Sequence, residues 1–278
     1  MSLFDAHCHI QDSRLAADLA GVLARARDAG VERMLCCGTS EKDWRQVEIL
    51  CARHSALIPS FGLHPWHVHD KSPTWMSNLT DLILSDPAAV IGEIGLDRTI
   101  PVGNDSEQAE AFVAQLRLAK ALVRPACVHC RKAWDIILPI LEDVGGLPAG
   151  FILHSYSGSA ELVPRLAAMG AYFSFSGAIT WPRNERGRRA VVAVPPDRLL
   201  IETDSPDLMP AEATATGNSS PPSMKLNEPG NLVHVLNTVA ALRNISVKAL
   251  ADRIWVNACH LLMPDRSKTV GLSTANDS

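Results

Sequence analysis

The chain has 278 residues, 47% hydrophobic and 20% charged, enough apolar side chain for one sizeable core and a length that suits one large domain. A formal net charge of −4 leaves no overall basic footprint of the kind that tight duplex binding requires, although it leaves room for a local basic pocket. No apolar stretch is long enough to span a bilayer, so a helical membrane protein is not expected.

The first strand-like run is SLFDAH at 2–7, and it leads into two histidines one residue apart, His7 and His9. The opening MSLFDAHCHIQDS lacks the basic and apolar regions of a signal peptide. Seven scattered cysteines show no framework spacing and predict reduced thiols in a cytoplasmic protein. A helical pattern follows over 15–30, with apolar residues at 15, 19, 22 and 23 and a stop at Gly30. Further strand-like runs lie at 31–38, 57–64, 89–96, 126–130, 150–156, 171–177 and 198–204, with a helical pattern after most of them. The stretch 106–123 starts on Ser106 as an N-cap and sets Phe112, Leu116 and Ala119 on one side. Near-continuous Val/Ile/Leu runs suit parallel strands buried on both faces. Eight β/α units in this length predict a (β/α)8 TIM barrel. A doubly wound sheet is the alternative, but no G-x-G-x-x-G follows any strand. Residues 210–230 read as a long loop over the barrel top, 231–263 as two further amphipathic helices. The predicted organisation is one barrel domain over 1–264 and a polar, disordered tail over 265–278.

The polar residues of these runs fall in a consistent place. His7 and His9, His64, Glu93, His129, His154 and Asp204 each lie at or near the C-terminal end of a run. In a β/α barrel those ends share one face, where active sites sit. Glu93 interrupts the apolar VIGEIGL, and a carboxylate there is costly to bury unless paired or metal-bound. Four of the histidines and the two carboxylates are enough for two divalent cations if one carboxylate bridges, and the mixture suits Zn, Mn, Fe or Ni, or Mg with more water. CVHC at 127–130 reads as two small buried residues flanking His129 rather than a redox pair, because positions three apart on a strand face opposite sides.

The chain resembles the TatD-type metal-dependent hydrolases, within the amidohydrolase-like barrels, from about residue 3 to 263. The motifs that carry the resemblance are D-A-H-C-H at the start, G-L-H-P at 62–65, G-E-I-G-L-D at 92–97, V-H-C-R at 128–131, H-S-Y-S-G at 154–158, E-T-D-S-P at 202–206 and N-E-P at 227–229. The resemblance implies that His7, His9 and Asp204 hold one metal, His129 and His154 a second, and that Glu93 touches both. It implies that His64 meets substrate or phosphate. Arg131 points the same way, with a strand-end salt bridge as the alternative. Asp5 either orients a histidine or caps its strand. The implied activity is that of a deoxyribonuclease that shortens DNA, commonly single-stranded, from the 3′ end, using two ions among Mg, Mn or Zn. By the same resemblance Asp204 and Glu93 are expected to be the catalytic carboxylates, and no obligate protein partner is evident.

Departures from the family pattern bear on substrate. Arg98 and Thr99 follow Asp97 where aromatic residues are usual, so Arg98 is expected to hold a phosphate or to stack in their stead. Leu226 stands before N-E-P where an arginine is usual. Trp66 is either a stacking platform or rim packing, and RNERGRR at 183–189 either lines the substrate cleft or forms a solvated helix face. The alternative activities are ester or amide hydrolysis on the same metals, such as removal of D-amino acids from mischarged tRNA or small-molecule amidohydrolysis, and a non-catalytic barrel scaffold.

Overall fold

The computed structural model describes residues 1–99, 105–215 and 226–263. Its strands are β1 (Leu3–Cys8), β2 (Val31–Cys37), β3 (Leu57–Phe61), β4 (Val90–Asp97), β5 (Ala126–Arg131), β6 (Phe151–Leu153), β7 (Ala171–Phe175) and β8 (Leu199–Ile201). The helices among the described residues are α1 (Leu19–Asp28), α2 (Glu41–Arg53), α3 (Trp75–Ser85), α4 (Asp105–Ala121), α5 (Trp134–Val144), α6 (Val163–Ala168), α7 (Glu185–Ala193), α8 (Ala211–Ala215), α9 (Leu232–Arg243) and α10 (Val247–Leu262). The strands pair in chain order, every pair parallel. Two backbone bonds just past the strand ends tie the last to the first: Asp204 N–H to His7 O at 3.0 Å, and His9 N–H to Ser205 O at 2.7 Å. The result is the (β/α)8 barrel that the alternating runs predict.

The period-two alternation of each strand builds two cores. On β5, Ala126 and Val128 face the helices while Cys127 faces inward. Phe4, Leu35, Ile58, Val90, Ile152 and Leu200 fill the barrel interior with Cys127, and Ala258, Leu261 and Leu262 of α10 pack into the same cluster. The interior is therefore a packed core, and a site has to lie at one of its mouths.

Several runs are shorter than the sequence suggests. Runs 150–156 and 198–204 contract to three-residue strands, so His154 and Asp204 sit in the loops just beyond. His64 lies past β3 and caps the 3-10 turn Pro65–Asp70, its Nδ1 accepting from Trp66 N–H at 3.2 Å. Gly30 does end α1's turn, at φ +87°. Ser106 is not the N-cap of α4, since the helix already includes Asp105. Residues 216–225 of the predicted loop and the whole polar tail lie outside the described residues, and the rest of that loop contains the short helix α8 and a 3-10 turn at Pro229–Asn231. No helix among the described residues is long and apolar enough to cross a membrane.

Candidate metal centre

Glu93 organises the site. It projects from β4 and is buried at 2% exposure, with its two oxygens facing different partners. Oε2 lies 3.4 Å from His7 Nε2 and 3.5 Å from His9 Nε2. Asp204 Oδ1 stands 3.3 and 3.5 Å from the same two nitrogens, which are 3.1 Å apart. On the other side, Oε1 lies 2.8 Å from His154 Nε2, 2.9 Å from His129 Nδ1 and 3.5 Å from His64 Nε2. Residues nearly two hundred positions apart thus meet at the C-terminal mouth of the barrel.

The outer nitrogens of the rings fix which atom each presents. His9 Nδ1 bonds the Cys37 carbonyl at 2.8 Å, and a carbonyl can only accept, so the proton is on Nδ1 and Nε2 offers a lone pair inward. His129 Nε2 faces Asp97 Oδ2 at 3.2 Å, which leaves Nδ1 as its inward donor atom. Asp97 also accepts from Trp66 Nε1 at 2.9 Å and from Thr99 N at 2.7 Å. Against burial, which raises it, these bonds hold the Asp97 carboxyl well below its ordinary range. Burial would likewise raise Glu93, but the imidazoles of His154, His64 and His7 more than reverse this, and it stays ionised. His64 is pushed well below the ordinary imidazole value by burial. Asp204 sits at φ +56°, a left-handed conformation that costs a non-glycine residue about 1–3 kcal/mol, pinned by its N–H to His7 O.

Glycine makes the G-E-I-G-L-D motif possible. Gly95 has φ +147°, and a Cβ there would lie 1.9 Å from His129 O. β4 shifts register against β5 between Ile91 and Ile94, and Gly95 then pairs directly with His129. The motif therefore places a carboxylate and lets the neighbouring ligand strand close against it.

A cavity of about 970 Å³ opens above the centre, lined by His9, His64, Trp66, His129, Arg131 and Asp204 among others. Trp66 is 46% exposed at its wall, its N–H held by Asp97. Arg131 lines the cavity and makes no ion pair among the described residues. Arg98 does not line it. Its guanidinium bonds Asp105 at 2.9 Å and Asp135 at 2.7 Å, linking α4 to α5. The run 183–189 does not line it either: Arg183 lies over Trp181 at 5.3 Å and Arg188 donates to Ile179 O at 3.3 Å. Asp5 touches no histidine side chain. It accepts from Thr203 N at 2.8 Å and from the Thr203 hydroxyl, and so ties β1 to the loop after β8.

A family model described as TatD related DNase matches residues 4–263. The chain belongs to the TatD-related DNase family. The 3′-5′ ssDNA/RNA exonuclease TatD of Escherichia coli strain K12 is 34% identical over 264 residues, covering 92% of this chain and 95% of that protein. The metal-dependent hydrolase YabD of Bacillus subtilis is 30% identical over 259 residues, covering 93% of this chain and 98% of its own. Among solved structures, the TatD homologue YjjV of Escherichia coli K12 superposes with a TM-score of 0.86 at 27% identity, covering 94% of this chain and 98% of that one. The Escherichia coli phosphotriesterase homology protein shares the fold, with a TM-score of 0.64 at 15% identity over 94% of this chain and 98% of that one.

For a TatD-family protein the donor set fits divalent metal on its own geometry. The distances of 3.1 to 3.5 Å from His7 Nε2 and His9 Nε2 to each other, to Glu93 Oε2 and to Asp204 Oδ1 match the edge of about 3.4 Å that ligands ~2.1 Å from a tetrahedral ion would give. Lone pairs and ionised oxygens converging out of water are stable only around a cation or added protons. The reading of strand ends missed two buried acids that face the outer nitrogens of candidate ligands, one hydrogen-bonded and one only close by. Asp97 holds His129, and its signal was a second carboxylate closing the same strand as Glu93. Glu202 lies 3.4 Å from His154 Nδ1 through Oε1, which also accepts from Ser155 N at 2.7 Å. Its signal was an acid in E-T-D beside the one chosen.

Proposed function

We propose that the protein is a metal-dependent 3′–5′ exonuclease acting on single-stranded DNA, with two divalent cations at Glu93. The observation that carries this reading is the division of Glu93: one oxygen faces His7, His9 and Asp204, the other His129 and His154. His7, His9 and Asp204 would hold one ion and His129 and His154 the other, with Glu93 shared. Mg, Mn and Zn are the candidates, and the imidazole-rich set favours Mn or Zn over Mg. When bound, such ions acidify water toward neutral pH and neutralise charge building on a phosphoryl oxygen.

The protein's own groups do the rest. Asp204 faces the cavity as an ionised carboxylate and is placed to accept the proton of the attacking water. Asp97 keeps His129 turned inward, and Glu202 sets a negative charge 3.4 Å behind His154 Nδ1. Arg131 supplies a cation for a phosphate, His64 meets the same group, and the exposed face of Trp66 offers a platform for a terminal base. A cavity near the upper end of the usual ligand-pocket range of about 300–1,000 Å³ suits a strand end better than a duplex. Seven free thiols support a reducing, cytoplasmic setting.

A second reading, ester or amide hydrolysis on the same centre, draws support from the cavity's paired cations. Arg14 is bound by Asp12 and Asp207, and Lys42 by Asp70. The deciding experiment uses a 5′-labelled single-stranded oligonucleotide and metal-stripped protein with Mg, Mn or Zn restored. A ladder shortening from the 3′ end, absent with Glu93→Gln, is expected. Intact DNA with metal bound overturns the nuclease reading and makes mischarged tRNA the next substrate.

A further inference from the structure

The two ring nitrogens of His7 look in opposite directions. Nε2 faces Glu93 and Asp204, whereas Nδ1 stands 3.1 Å from Cys127 Sγ on the barrel side. Cys37, at the end of β2, shares that contact, and one donor atom each from His7, Cys37 and Cys127 lie within 4.8 Å of one another. All three residues are 0% exposed, and no carboxylate belongs to the group. The donors above are imidazole and carboxylate, which suit hard and borderline ions; those below are two thiols and one imidazole, which suit soft ones.

We propose that His7, Cys37 and Cys127 form a three-coordinate site for a thiophilic d¹⁰ cation, with Cu(I) as its best match, directly beneath the hydrolytic centre and sharing His7 with it. Cu(I) is stable with few ligands, and three donors in a dry pocket give it what it needs without a carboxylate or water. Loading breaks two S–H bonds and forms two metal–sulfur bonds and one metal–nitrogen bond to His7 Nδ1; the two thiol protons and the cation's previous ligands pass to solvent, and no electron moves. A neutral imidazole carries a single proton. A cation on Nδ1 sends that proton to Nε2, so His7 can no longer offer a lone pair to the upper set. The two sites therefore compete through one ring, whatever the substrate of the upper one.

The test is an anaerobic titration of metal-stripped native protein with acetonitrile-stabilised Cu(I). Thiolate-to-copper charge-transfer absorption is expected to saturate at one equivalent, and copper X-ray absorption to fit two sulfurs and one nitrogen. The absorption disappears in Cys37→Ser/Cys127→Ser and persists in the control Cys36→Ser/Cys51→Ser. Copper bound only by nitrogen and oxygen in the native protein overturns the proposal without recourse to any variant. So does absorption that survives Cys37→Ser/Cys127→Ser. The Cu(I)-loaded protein should bind Mn²⁺ about tenfold more weakly, by electron paramagnetic resonance of the free ion, as expected when one ligand is compromised. Unchanged Mn²⁺ affinity overturns the competition through His7.

Discussion

Glu93 sits in the middle of an apolar strand, and the imidazoles around both of its oxygens keep it charged there. Removing the charge while keeping the shape should therefore empty the centre. Glu93→Gln is expected to lower hydrolysis about 10²-fold or more and to reduce bound metal, measured by single-turnover assay and elemental analysis. Full activity in that variant would break the bridging role. The two arginines singled out beside the motifs should separate cleanly. Arg131→Ala should raise KM for an oligonucleotide about tenfold, or ~1.4 kcal/mol, whereas Arg98→Ala should leave KM unchanged because its guanidinium serves Asp105 and Asp135. Equal effects on KM would contradict this division. Asp97→Asn keeps the volume but loses the ionised acceptor for His129 Nε2. It should cost about 10–100-fold in metal affinity, read by competition with a chelating dye.

At the scale of elements, the strand-to-strand fit around the centre is tight. Gly95→Ala would force an L side chain to φ +147° and push its Cβ into the His129 carbonyl. The expected loss is more than about 1 kcal/mol of stability, with displaced metal, in a denaturant titration that also follows metal release. A wild-type midpoint would show that β4 yields without cost. The barrel floor depends on α10, whose Leu261 is 2% exposed and packs among the interior residues. Leu261→Ala should cost about 2–5 kcal/mol while leaving metal stoichiometry intact. N-E-P also finds its explanation at this scale. Asn227 Nδ2 donates to Thr203 O at 2.9 Å and to Asp207 O at 2.8 Å, so the motif straps the loop that carries Asp204.

Considered whole, the molecule separates what folds it from what acts. The apolar clusters inside the barrel and between strands and helices are built from hydrophobic side chains, so chelation should leave the circular dichroism of the barrel unchanged. Metal that binds only the native state should still raise stability, by about 2.7 kcal/mol at a concentration of a hundred times Kd, visible as a rising Tm as Mn²⁺ is added back. A Tm indifferent to metal would mean that the donor set holds none. The family match over residues 4–263 and the barrel agree with this separation, since the histidines and acids of the motifs lie at or just past strand ends, with N-E-P strapping one of those loops, and the apolar periodicity lies within the strands.

The sequence by itself determined the barrel and the place of its mouth. Apolar runs of strand length are a local property, and a polar residue closing such a run is carried to the shared end of a parallel barrel by topology alone. His7, His9, His64, Glu93, His129, His154 and Asp204 could be read that way, and the structure brings them together. Only the tertiary structure decided how Glu93 divides its oxygens, which acids face His129 and His154 from behind, and that Cys37 and Cys127 back His7 from inside the barrel. It alone withdrew Arg98 from the cavity and left Arg131 there. The physical reason is that a side chain's partner is set by distances between groups on separate strands and loops. Two arginines at strand ends, one closing V-H-C-R and one just past G-E-I-G-L-D, can end in an open cavity or in an ion pair, and nothing local to either one decides which.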